Sequence, residues 1–127
     1  TVMPGLALYD FGDLIRGATS PVAEDEPDTS KVEMRLPMFE AIVEGYLETA
    51  ASFLTPLEID LLPFSAKLIS LETGIRFLTD YLEGDKYFRI HRDNHNLDRC
   101  KTQLALVKSI EDQEDKMLNF VKKWHRA

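Results

Sequence analysis

The 127-residue sequence is poor in the residues that mark several specialised classes. Cys100 is its only cysteine, so no intrachain disulfide can form, a cysteine-based zinc cluster is excluded, and a reducing cytosol is the natural setting. Its apolar runs are only a few residues long, none approaching the roughly 20 needed to span a bilayer. Its six glycines are scattered and build no phosphate-cradling loop. Positive charge is in deficit, with 15 Lys+Arg against 22 Asp+Glu and a formal charge of −7. Such a chain repels a phosphate backbone, which argues against nucleic acid as its partner. It opens on Thr1 rather than Met, without the basic and apolar regions of a signal peptide, and is expected to be a piece of something longer.

What is present is ordinary for a globular domain: 44% hydrophobic and 29% charged residues, in a length that supports one hydrophobic core. Leu8, Phe11 and Ile15 share a helical face, which predicts a short helix over 6–16 that ends near Gly17. Residues 17–31, rich in Pro, Ser, Thr and acid, read as a solvated loop. Phe39, Ile42, Val43, Tyr46, Leu47, Ala50, Phe53 and Leu54 recur at steps of three and four and predict a helix over 35–54. Thr55, Pro56 and Glu58 then form a helix start, with Thr55 as N-cap, Pro56 in the first turn and Glu58 bonding back to the cap.

The series Leu57, Leu61, Phe64, Leu68, Leu71, Ile75, Leu78, Leu82 marks the next helix, with a kink or break at Pro63 and Gly84 as its C-cap. A last helical pattern runs through Leu97, Cys100, Leu104 and Val107 and resumes at Leu118, Val121 and Trp124. The polar stretch "EDQED" between them implies a solvated segment or a break. With no repeat and no long β-type alternation, residues 1–127 predict a single all-α domain, a bundle of long, mostly antiparallel helices around one core.

Two tripeptides look like parts of a protein kinase. His91-Arg92-Asp93 matches the start of the catalytic loop, and Asp10-Phe11-Gly12 matches the magnesium-binding segment. Their order is reversed, because the catalytic loop precedes the metal tripeptide in those enzymes. The position that should carry the second metal-binding Asn is Asp98, and Asn94 or Asn96 is placed to cap the last helix. His91-Arg92-Asp93 is therefore read as a loop leading into that helix. His91 and His95 have the i, i+4 spacing of paired metal ligands, but the Glu of the H-E-x-x-H pattern is absent. Neither Cys100 nor Ser20 stands in the Cys/Ser-x-Pro-x-Arg pattern of sulfatases.

Glu72, Arg76 and Asp80 form a polar stripe at steps of four. It reads either as exposed helical ion pairs or as an arginine held by two carboxylates at a pocket walled by Tyr81, Tyr87 and Phe88.

The succession "TVMPGLALYDFGDLIR", acidic "EDEPD", "FEAIVEGYL", "LTPLE", "RFLTDYLEGDKYF" and "HNLDRCKTQ" resembles the C-terminal part of the aminoglycoside/choline phosphotransferase superfamily, in its N-acetylhexosamine 1-kinase branch, over nearly the whole chain. Relatives of that branch have also been labelled mucin-desulfating, a label the missing sulfatase motif does not support. The resemblance implies the helical C-terminal subdomain of a kinase-like lobe in a cytoplasmic sugar kinase that uses ATP and Mg²⁺. The catalytic loop and the metal-binding Asp would lie before Thr1, so this piece would carry no catalytic residue, metal ligand or cofactor of its own. It implies that Asp10 starts a helix and anchors the backbone of the catalytic loop, and that Arg76 and Tyr87 contact hydroxyls of the acceptor sugar. An excised subdomain of this kind should expose an apolar patch where the rest of the lobe sits. The alternative is a non-enzymatic helical module that binds a protein through an apolar groove between its helices.

Overall fold

The computed structural model describes residues 4–126, with side chains from residue 7 to residue 124. Among them every regular element is helical: α1 (Pro4–Ala18), α2 (Leu36–Ala50), α3 (Pro56–Asp60), α4 (Leu62–Leu82) and α5 (His95–Val121), with 3-10 turns at Thr29–Lys31 and Lys122–Arg126. The all-α bundle expected from the sequence is the observed architecture, and none of its helices is long and apolar enough to cross a membrane. Helices α4 and α5 run antiparallel, as the pairs Lys67–Glu114 and Asp80–Asn96 near their opposite ends require.

The local signals account for most boundaries. Thr55 Oγ1 accepts from the Glu58 N–H while Glu58 accepts from the Thr55 N–H, a complete capping box. The chain breaks at Leu61, and α4 resumes with Pro63 in its first turn, where a missing N–H costs nothing. At the far end of α4 the Gly84 N–H bonds to the Tyr81 carbonyl and the Asp85 N–H to the Asp80 carbonyl, the Schellman pattern, with Gly84 at φ 96°.

Three expectations need correction. Helix α1 already begins at Pro4, so Asp10 does not start a helix but lies exposed well inside one. Helix α5 is unbroken through "EDQED", because that segment works at an interface: Gln113 Nε2 donates to the Met34 carbonyl at 2.6 Å and Lys67 pairs with Glu114 at 2.8 Å. Together with the Ser109 hydroxyl, which accepts from the Met34 N–H, Gln113 clamps the extended run before α2 against α5 and buries Val32 and Met34. The third holds in part: Asn94 is the N-cap residue of α5, as one of the two alternatives had it, but it makes no side-chain capping bond. Asn94 has left-handed backbone, φ 61°, and its side chain accepts from Tyr81, while Asn96 is buried inside the helix.

The main core joins Phe11 and Ile15 of α1, Phe39, Val43 and Leu47 of α2, and Leu106, Ile110, Met117 and Val121 of α5. Helix α4 turns its small residues inward. Ala66, Ser70 and Gly74 are buried one turn apart, and a Cβ on Gly74 would stand 3.2 Å from the Cβ of Gln103 on α5. The Leu57-to-Leu82 series that marks this helix in the sequence is exposed throughout, from 36% at Leu78 to 73% at Leu82, while Leu62, Ile69 and Phe77 are the large apolar residues that α4 buries. A helix that is apolar on two opposite faces is built to be covered on both.

Phe11 and Gly12 now have a packing explanation. Phe11 is a core residue with its ring 5.1 Å from that of Tyr46. A Cβ on Gly12 would meet the Ser65 carbonyl oxygen at 2.6 Å, so glycine is what lets α1 cross α4 this closely. Equilibrium urea unfolding of this chain should therefore show Gly12→Ala less stable by about 1–3 kcal/mol, since the obstacle is backbone. Ile75→Gln, on the exposed row, should change stability by no more than about 0.5 kcal/mol.

Candidate functional site

The end of α4, the turn after it and the first turns of α5 meet around one carboxylate. Asp80 is 4% exposed. One of its oxygens accepts from the Tyr87 N–H at 2.7 Å, the other from the Phe88 N–H at 3.0 Å and from Asn96 Nδ2 at 2.8 Å. Burial alone would raise its pKa, but hydrogen bonds from the backbone of Phe88, Tyr87 and Lys86 and from Asn96 outweigh that and hold it below the ordinary carboxylate value. Asn96 also donates to Asp85 and accepts from Arg99 at 2.8 Å.

This arrangement corrects the reading of the polar stripe. Asp80 does not hold Arg76, and Arg76 makes no ion pair among the described residues. Its exposed guanidinium lies 5.9 Å above the ring of Phe88, an arrangement that orients the planar cation without consuming its N–H groups. Arg76 and Tyr87 border one shallow cleft of about 320 Å³ together with Thr79, Asp80, Glu83 and Phe88. Tyr87 is 75% exposed and packs edge-on against Phe88, with centroids 4.9 Å apart. Tyr81, expected as a third wall, instead donates to Asn94 at 3.2 Å.

The cleft can hold a ligand by an aromatic face and arginine donors, the combination suited to a small polar molecule with apolar edges. Cys100 is buried and its thiol pKa is pushed up by that burial, which leaves it inert.

His91 and His95 do not converge on a metal position. His95 Nδ1 accepts from the His91 N–H, which leaves Nε2 protonated and donating to Asp25 at 2.7 Å, the neutral tautomer fixed at both nitrogens. Among the described residues no group of three or more His, Cys, Asp or Glu could hold a metal ion. Arg92 pairs with Asp98 and donates to the Asp25 carbonyl, while Asp93 is exposed. His91-Arg92-Asp93 is thus the approach to α5 and ties it to the loop over 19–28. That loop is solvated but pinned: Arg16 holds Glu24, and the Thr102 hydroxyl donates to the Glu26 carbonyl.

Asp10 has no hydrogen bond or ion pair with a described residue; its charge contributes to raising the pKa of Tyr46, after burial of that phenol. Arg89 and Arg99 carry no signal of their own in the sequence, and Asn96 stands out there only as one of two candidate caps of α5; the run "HNLDR" is informative only as part of a pattern. No family model matches the chain.

Because the Asp80 pKa is depressed in the folded state, the bonds to its ionised form contribute stability that is complete above the unfolded value of about 3.9 and lost as pH falls through the folded one. Asp25, lowered chiefly by its hydrogen bond with His95, acts in the same sense. Asp80→Asn should lower the urea midpoint at pH 7 and lose less on acidification below about pH 4 than the wild type does. Parallel acid losses in the two proteins would show that Asp80 contributes nothing through its charge.

Proposed function

We propose that this chain is the helical C-terminal part of an ATP-dependent N-acetylhexosamine 1-kinase, and that its task is to position the acceptor sugar. The observation that carries the reading is that Arg76 and Tyr87, the two positions named by the resemblance to the aminoglycoside/choline phosphotransferase superfamily, border the same cleft beside Phe88. In this reading a face of the sugar ring lies on the exposed Tyr87 ring and its hydroxyls receive N–H groups from Arg76. Phosphoryl transfer depends mainly on positioning and on charge neutralisation. The preceding part of the protein supplies ATP and Mg²⁺, which neutralise the transferring phosphoryl group. The residues of this chain hold the acceptor oxygen in place.

The exposed Leu57-to-Leu82 row supports the same reading, as the face on which the preceding part of the lobe packs. Eight such side chains amount to roughly 800 Å², the size of one side of a standard protein interface. Asp10, exposed and uncommitted, is the proposed acceptor for backbone N–H groups of the catalytic loop. A reducing cytoplasm is the proposed compartment.

The second reading, a non-enzymatic helical module, is favoured by the same row. Leu61, Phe64 and Leu68 of the row border an apolar cleft with Leu8 and Tyr9 of α1, and its alternating steps of four and three fit the seam of a partner helix.

Kinetics of the complete protein distinguish the two. With N-acetylglucosamine or N-acetylgalactosamine as acceptor and MgATP as donor, Arg76→Ala should lower kcat/KM by roughly 10- to 150-fold, the loss of about 1.5–3 kcal/mol carried by a charged hydrogen bond. A value within twofold of wild type rejects the pocket, and a complete protein without any sugar kinase activity favours the interaction module.

A further inference from the structure

On the other flank of Arg76 lies a second cleft, of about 420 Å³, between α1, α4 and the approach to α5. Its charge runs against that of the chain. Four arginines, Arg16, Arg76, Arg89 and Arg99, line it against two carboxylates, Asp13 and Glu24, in a protein of net charge −7. Both carboxylates are engaged by Arg16, at 2.9 Å and 2.7 Å. Arg76, Arg89 and Arg99 make no ion pair with any described residue. Three like charges converge in a cleft whose two carboxylates are both taken up by Arg16.

Two of these guanidinium groups are held in place rather than left to wander in solvent. Phe77 and Phe88 pack against each other with centroids 4.7 Å apart, Arg99 lies 5.5 Å from the Phe77 centroid and Arg76 5.9 Å from that of Phe88. Each ring of the pair thus carries one cation. Arg99 is further fixed through one terminal nitrogen, which donates to Asn96 Oδ1 at 2.8 Å and to the Arg89 carbonyl at 3.1 Å. Its other nitrogens make no hydrogen bond among the described residues, and Asn96 is itself held by buried Asp80. A positioned guanidinium with an unused N–H edge matches the oxygens of a phosphate, which it can bind through two parallel hydrogen bonds.

We propose that the cleft lined by Arg76, Arg89 and Arg99 is a phosphate-binding site that takes inorganic phosphate or the phosphoryl group of a small phosphate monoester. The site does not depend on the hexosamine reading, since Arg89, Arg99 and the Phe77 ring that supports Arg99 line this cleft and not the other. Arg76 borders both clefts, so a ligand with a polyol body and a phosphate can engage the two together.

The test is isothermal titration of the chain at low ionic strength with inorganic phosphate, then with glucose 1-phosphate, with glucose as the uncharged control. Inorganic phosphate should bind, and Arg99→Gln and Arg89→Gln should each weaken it at least tenfold. Lys108→Gln, which removes an exposed charge paired with Asp112 on α5, should leave it within twofold. The Arg89 side chain is exposed and makes no hydrogen bond to a described residue, so its removal tests the site with little risk to the fold. Tighter binding of glucose 1-phosphate than of inorganic phosphate supports the site with an ester as its ligand, and equal binding supports it with the free ion. No binding at roughly 10 mM phosphate, a Kd weaker than any useful site, or equal affinity in wild type and both arginine variants overturns the proposal.

Discussion

The geometry at the α4–α5 end of this molecule, where both clefts lie, depends on burying the Asp80 carboxylate while keeping it ionised. A carboxylate at 4% exposure is costly unless its oxygens are satisfied. Here the partners that satisfy it are the features that matter: the N–H groups of Tyr87 and Phe88 fix the turn after α4, and Asn96 fixes the start of α5. From the turn hang the Tyr87 ring and the Phe88 support for Arg76. From Asn96 hangs Arg99. One ionised group therefore sets both clefts, and Arg76 sits where they adjoin.

The second governing feature is the division of labour on α4. Gly74 lets α5 approach α4 closely beside Gln103, and Gly12 lets α1 cross α4 at Ser65, while Ala66 and Ser70 are buried on the same inner face. Small residues give close approach at the expense of apolar area; Leu62, Ile69 and Phe77 are buried, while the row from Phe64 to Leu82 faces outward. The main core is carried mostly by α1, α2 and α5 around Phe11, Phe39, Leu47 and Ile110, with Leu62 and Ala66 of α4 joining it. That leaves a helix with a structured inner face and an outer face that a partner or a further part of the same protein can cover without disturbing the site.

Periodicity made the helices legible, and cap chemistry made their limits legible at Thr55, Pro63 and Gly84. It could not say which face of α4 is inside, because a pattern of large apolar residues looks the same whether a core or a partner covers it. Close packing through Ala, Ser and Gly leaves no hydrophobic signal. Gln113 was hidden for a related reason: a polar residue that clamps a backbone carbonyl looks in sequence like a solvated one. At the candidate site, Arg76 and Tyr87 were legible through the motif order, and their shared cleft follows from the turn between them. The role of Asp80 was misread because spacing of four on a helix suggests a pair with Arg76, whereas the carboxylate has backbone donors across the turn. Arg89 and Arg99 became a pair only when α5 folded back beside α4.

The dependence of both clefts on Asp80 is open to a residue-level measurement, amide hydrogen exchange followed by NMR in the wild type and in Asp80→Asn. The account predicts that the Tyr87 and Phe88 amides are protected in the wild type and exchange much faster in the variant, while Val43 and Leu47 in α2 keep their relative protection. Equal protection of Tyr87 and Phe88 in the two proteins, or exchange at the unprotected rate in the wild type, would contradict it.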